Sequence, residues 1–115
     1  MNYNRKAIKN FFNLCTFLKI YEDMYPNITD SNRKTYLGMV TAMDDILKLL
    51  IEELKSQNMY ENTIIVFSSD NGGLSDSAVG GASNEPLRGQ KTDVYEGGIR
   101  VPGFVHSPLF LKRPG

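Results

Sequence analysis

The chain has 115 residues, enough for one small domain. Its composition is that of a globular protein, with 41% hydrophobic and 23% charged residues. Thirteen basic and thirteen acidic residues cancel, which argues against a nucleic-acid partner, and the single cysteine, Cys15, excludes an internal disulfide framework or a cysteine-based zinc site.

Residues 1–20 form a basic-amphipathic lead. Arg5, Lys6 and Lys9 precede a short apolar patch interrupted by Asn13 and Thr16. The charge order is that of a signal peptide, but no small-residue cleavage site follows. Ile8, Phe11, Phe12, Cys15 and Leu18 instead share one face at helical spacing. No apolar run is long enough for a membrane span.

Residues 21–32 are turn-rich and end in two candidate N-caps, Asp30 and Ser31. A helix is predicted over 31–57. Tyr36, Val40, Met43, Leu47, Leu50 and Leu54 alternate spacings of four and three, and Leu37, Ile46 and Ile51 widen the stripe. Asn58 is the expected stop. Residues 63–69 (Thr-Ile-Ile-Val-Phe-Ser-Ser) read as a strand, apolar almost throughout its middle, as expected of a strand covered on both faces in a parallel sheet. Helix then strand is one half of an α/β repeat.

From residue 70 to 89 the chain is rich in Gly, Ser, Asp and Asn. A loop of about 20 residues is longer than a routine connection. A helical turn over 91–96, closed by Gly97-Gly98, and a second strand over 99–106 complete the pattern. Pro102 marks that strand as an edge or a bulge.

Asp70-Asn71-Gly72-Gly73 follows the first strand directly. In open α/β sheets ligands bind beyond the carboxyl ends of strands. A carboxylate beside an amide oxygen suits a hard cation such as Ca²⁺ or Mg²⁺. A plain Asx-Gly turn is the competing reading. Arg88 and Lys91, flanking Gly89, could hold a sulfate or phosphate, or simply be solvated. The P-loop pattern fails here, because Asn84 stands where its first glycine is required. Asp44 and Asp45 lie about 100° apart on the helix and do not project together. His106, the sole histidine, has no nucleophile arranged around it. Asn27-Ile28-Thr29 matches the glycosylation pattern.

Taken in order, Tyr36-Leu37-Gly38-Met39-Val40, Met43-Asp44, the strand at 63–69, Asp70-Asn71-Gly72-Gly73, Pro86-Leu87-Arg88-Gly89-Gln90-Lys91 and the segment from Glu96 to Val105 resemble the sulfatase family. The likeness is to its arylsulfatase B group and covers roughly 21–115. It implies a partial sulfatase domain of alkaline-phosphatase-like α/β fold over those residues, with 1–20 unassigned. It implies sulfuric ester hydrolysis with one Ca²⁺ ion, a sulfate-ester substrate, and a lysosomal or secreted location. Asp70 and Asn71 match two of the family's metal ligands, and Lys91 matches a lysine that binds the substrate sulfate. Arg88 and Arg100 match positions read as structural. The family's formylglycine nucleophile is made from a Cys-x-Pro-Ser-Arg segment. Cys15 is followed by Thr16, Phe17, Leu18 and Lys19 and does not match it. The first Asp pair, the catalytic histidines and an upstream lysine also lack counterparts. The resemblance therefore implies a middle slice of a longer protein, predicted to be inactive alone. The competing reading is a non-catalytic remnant or interaction module, with apolar surfaces that lack a partner layer.

Overall fold

The computed structural model describes residues 18–75 and 80–111. The apolar face read in the lead, with Cys15, lies outside the described residues, apart from Leu18. Residues 18–22 are helical and lead into turns up to Asp30.

Helix α1 spans Ser31–Ser56, one residue shorter than predicted. Asp30 is its N-cap: the backbone is extended there, and the carboxylate accepts from the Arg33 N–H at 2.6 Å. That satisfies an amide with no carbonyl in the preceding turn. At the other end Asn58 adopts a left-handed φ of 57°. The Asn58 N–H returns to the Lys55 carbonyl and the Met59 N–H to the Leu54 carbonyl, at 3.1 and 2.9 Å. This is a Schellman closure, with Asn in the place glycine usually takes.

The face that α1 buries differs from the predicted stripe. Its two buried residues are Gly38 and Ala42. Residues 21–25 cross there, close enough that a β-carbon on Gly38 would stand 3.1 Å from the Glu22 nitrogen. The crossing is tied by hydrogen bonds from Tyr21 Oη to Asp45, from Thr35 Oγ1 to Glu22, and between Tyr25 and Thr41. Leu47, Ile51 and Leu54 of the stripe are half-buried, whereas Val40, Met43, Ile46 and Leu50 are exposed. Small residues let the backbones approach, and among the described residues the larger ones are at most half-covered.

A 3₁₀ turn, Tyr60–Asn62, leads to strand β1, Ile65–Ser68. Helix α2 follows the long loop at Glu96–Ile99, then strand β2 at Gly103–His106 and helix α3 at Pro108–Leu111. The two strands pair antiparallel, with Val66 opposite Val105 and Phe67 opposite Phe104. The rings of Phe67 and Phe104 stack with centroids 5.2 Å apart, a cross-strand pair of the kind that stabilises sheets. Among the described residues each strand pairs only with the other.

This corrects the expectation of a parallel strand covered on both faces. Ile65 and Phe67 are half-buried, but Val66 is 71% exposed. One face looks toward α1 across an apolar groove of about 300 Å³, where Leu47, Leu50 and Ile51 face Ile65 and Phe104. The other face has no layer over it among the described residues. At the end of β2, His106 Nε2 lies 2.8 Å from Tyr60 Oη. Buried Ser107 donates to the Thr63 carbonyl at 2.6 Å, so its hydroxyl is satisfied.

Helix α2 is a second correction. Gly97 and Gly98 were expected to close a turn over 91–96; instead they lie inside the helix and are buried. A β-carbon on Gly97 would overlap the Gly89 carbonyl, and one on Gly98 the Asp93 carbonyl. These glycines serve close backbone contact rather than helix termination.

Candidate functional site

β1 delivers the chain to the site. The Ser69 N–H donates to the Pro102 carbonyl at 3.1 Å, carrying the ladder one bond beyond the strand. Asp70 therefore stands at the carboxyl end of the strand, as predicted, and is exposed. Its Oδ1 accepts from the Asn71 N–H at 2.9 Å. Asn71 is half-buried and spends its side-chain nitrogen on the Gly72 carbonyl at 2.8 Å. That bond leaves the Asn71 amide oxygen and the second Asp70 oxygen outside it. Both are hard donors at adjacent positions, which fits part of a Ca²⁺ shell. Among the described residues no group of three or more His, Cys, Asp or Glu side chains converges on a metal position.

From Gly72 onward the loop folds back on itself. The Gly72 N–H donates to the Gly98 carbonyl at 2.8 Å, and the Gly97 N–H to the Arg88 carbonyl at 2.7 Å. A β-carbon on Gly72 would overlap the Gly97 carbonyl, so this position needs glycine for closeness. The Gly73 carbonyl accepts the Lys91 N–H at 3.1 Å. The run that begins with Asp70 and Asn71 is thus bonded to the backbone of Lys91. Lys91 itself is exposed, and among the described residues it enters no ion pair.

Arg88 and Arg100 have local partners. The Arg88 guanidinium lies 3.8 Å from the centroid of the Tyr95 ring and donates to Tyr95 Oη at 2.9 Å. Arg100 pairs with Glu96 one turn away at 3.2 Å. Gly89, with φ of 90°, reverses the chain between Arg88 and Lys91. The Gln90 N–H and the Asp93 carboxylate then close the next turn at 2.9 Å. Arg33 reaches from α1 to the Gly81 carbonyl at 2.8 Å, fixing the far side of the loop to the helix.

Sequence reasoning missed Asn84, noting it only as the residue that spoils a P-loop. It is the hub of the loop, bonded to the Gly73 N–H and carbonyl and to the Gly89 carbonyl. An available signal was the backbone itself. A glycine-rich loop with no ladder must find partners for its amides and carbonyls, and an Asn side chain offers both kinds. Asp44 and Asp45 are exposed on α1, with Asp45 taking the Tyr21 hydroxyl. An open polar depression of about 670 Å³ lies beside the hub, between Ser75, Glu85, Gln90 and Asp93.

Comparison with known proteins places the chain beside sulfatases. The sulfatase family model matches residues 9–112, beginning inside the lead. Arylsulfatase J of Mus musculus is 45% identical over 95 residues, and the match covers 83% of this chain and 15% of that protein. N-acetylgalactosamine-6-sulfatase of Homo sapiens is 34% identical over 84 residues, covering 72% and 16%. The crystal structure of Ps i-CgsB in complex with k-i-k-neocarrahexaose superposes with a TM-score of 0.73 at 48% identity, over 78% of this chain and 19% of that one. The chain spans about 15% of the length of the curated relatives it matches. No helix among the described residues is long and apolar enough to cross a membrane.

Proposed function

The chain belongs to the sulfatase family, and on that premise we propose that it serves sulfuric ester hydrolysis of the arylsulfatase type. The observation that carries the proposal is the Gly73 carbonyl. Through it the run bearing Asp70 and Asn71 is hydrogen-bonded to Lys91, so the residues proposed for metal and sulfate sit on one closed loop at a strand end.

In this reading Asp70 and Asn71 present two oxygen donors to one Ca²⁺ ion. When bound, the ion would neutralise sulfate oxygens. Lys91 holds the anionic ester as a point charge on a flexible stem. Its exposure, and its lack of an ion pair among the described residues, support that role. Arg88 is held by its stacking on Tyr95, and Arg100 by Glu96, which supports structural parts for both. No residue is assigned as nucleophile. A sulfate-ester substrate and a lysosomal or secreted setting complete the proposal. Asn27, exposed in a turn, is compatible with glycosylation there.

A second reading, a non-catalytic sulfatase remnant, is favoured by one observation. Val66, Leu49 and Ile46 are 71%, 62% and 57% exposed, as expected of a unit whose apolar faces lack a partner layer.

Calorimetry and an aryl sulfate assay test the proposal. Two oxygen donors are a small part of the ~6–8 that Ca²⁺ takes, so binding by this chain is expected on the order of millimolar or weaker. Asp70→Asn should weaken it further and Lys91→Ala should not. Aryl sulfate turnover should not exceed background. Loss of Ca²⁺ binding in Lys91→Ala, with none in Asp70→Asn, would reverse the assigned roles.

A further inference from the structure

We propose that Asn84 is the positioning residue of this site, its side-chain amide setting the Asp70–Asn71 run and Lys91 at a fixed spacing. The inference rests on the reading of Asp70, Asn71 and Lys91 given above. Asn84 Oδ1 accepts the Gly73 N–H at 2.8 Å. Its Nδ2 donates to the Gly73 carbonyl at 2.7 Å and to the Gly89 carbonyl at 3.2 Å. One planar group thus occupies both peptide groups of Gly73, as a neighbouring strand would, and binds a third group on another segment.

The positions of those groups give the amide its role. Gly73 ends the run that starts at Asp70, and Gly89 opens the turn that leads to Lys91. The Lys91 N–H bonds to the same Gly73 carbonyl at 3.1 Å. Asn84 therefore fixes Gly73 directly and the approach to Lys91 through Gly89. The side chain is half-buried, so water does not readily replace its bonds. The chemistry is specific to Asn. Aspartate keeps the acceptor but has no donor for the two carbonyls. A reversed amide would aim a donor at the Gly73 N–H. Alanine removes all three bonds without adding charge.

The test uses the full 115-residue chain, isotopically labelled, with Asn84→Ala and Asn84→Asp. Amide hydrogen exchange at Gly73 and Lys91 is compared with that at Phe67 and Phe104, a hydrogen-bonded pair of the strands. In Asn84→Ala both loop amides should exchange about tenfold faster, with the strand amides unchanged. Asn84→Asp should separate them: Gly73 stays protected by the remaining acceptor, while Lys91 exchange rises. If Asn84→Ala also loses the strand amides, the Asp variant alone decides.

Sodium sulfate is then titrated against sodium chloride at matched ionic strength, following the Lys91 amide and side-chain nitrogen. A saturable response in the native chain that weakens severalfold in Asn84→Ala supports positioning. Unchanged loop exchange in both variants overturns the bridge. Faster exchange with an undiminished sulfate response makes Asn84 a mere brace and overturns the positioning role. If the native chain shows no Lys91 response to sulfate and no Asp70 or Asn71 response to CaCl₂, the functional reading fails, and the positioning role with it. The exchange data would still record the bridge itself.

Discussion

The loop from Asp70 to Gly98 and the regular elements that flank it are built on opposite terms. The loop holds little large apolar side chain, yet its backbone is wired to itself at Gly72, Gly73, Arg88, Gly89 and Lys91. α1 and the β1–β2 ribbon carry regular backbone hydrogen bonds, yet much of their apolar surface stays exposed. Polar closure can be completed within one chain segment, because donors and acceptors pair one to one. Hydrophobic closure needs a second layer of matching area.

The sharpest way to break this contrast is Gly72→Ala. The new β-carbon overlaps the Gly97 carbonyl, and both sides of the clash are backbone. Destabilisation of the loop by about 3 kcal/mol or more is expected, read as loss of dispersed amide signals over 72–75 and 80–98 with α1 helicity retained. A native-like spectrum would mean that the loop closes in another way.

Asp30→Ala is expected to come next, at about 1 kcal/mol. It removes the side-chain acceptor of the Arg33 N–H, and helicity near 222 nm should show an earlier melting transition. Ile46→Lys should cost within about 0.5 kcal/mol, because Ile46 is 57% exposed on α1. A loss above about 2 kcal/mol there would reveal a covering partner. Together these two variants ask whether α1 depends more on its cap than on its outer apolar residues.

The smallest effect concerns the Lys19–Asp23 pair at the surface. The hydrogen bond and charge of Lys19 hold the Asp23 carboxyl below its ordinary value, and Asp23 in turn raises Lys19. The Asp23 contribution is present above the unfolded carboxyl pKa and lost as pH falls through its lowered folded value. The Lys19 contribution is present below the unfolded lysine pKa and lost as pH rises through its raised value. Both groups are exposed, so only local fraying of residues 18–22 should follow, seen in their amide shifts.

What was legible in the sequence divides along the same contrast. The limits of α1 came from local chemistry: an Asp with a free carboxylate before the first turn, and an Asn able to turn left-handed after the last. The position of β1 came from its β-branched run. Its antiparallel partner did not, because alternation says which residues want cover and nothing about which strand arrives beside them. The run at 63–69 reads as two-sided because it is apolar on both faces, whether or not both are covered. Asp70 and Asn71 were found as residue types after a strand, and Lys91 as a cation near a glycine that matches a family position. Their connection through Gly73 was not, since it depends on chain closure between residues 11 to 18 positions apart and leaves no periodic trace. The burial of Gly97 and Gly98 was hidden for the same reason.

Among the described residues each strand of the ribbon has one edge without a partner, and the two edges are not equivalent. β2 is bracketed by Pro102 and Pro108, neither of which can donate to an incoming strand. β1 carries Ile65-Val66-Phe67, preceded by Ile64, with no charge or proline within it. Stray pairing between molecules therefore has a preferred starting point, the outer edge of β1, and the prolines act as gatekeepers for the other side. At rising concentration the first species to form should be a dimer seamed along β1, and a single lysine at Val66 would remove its seed.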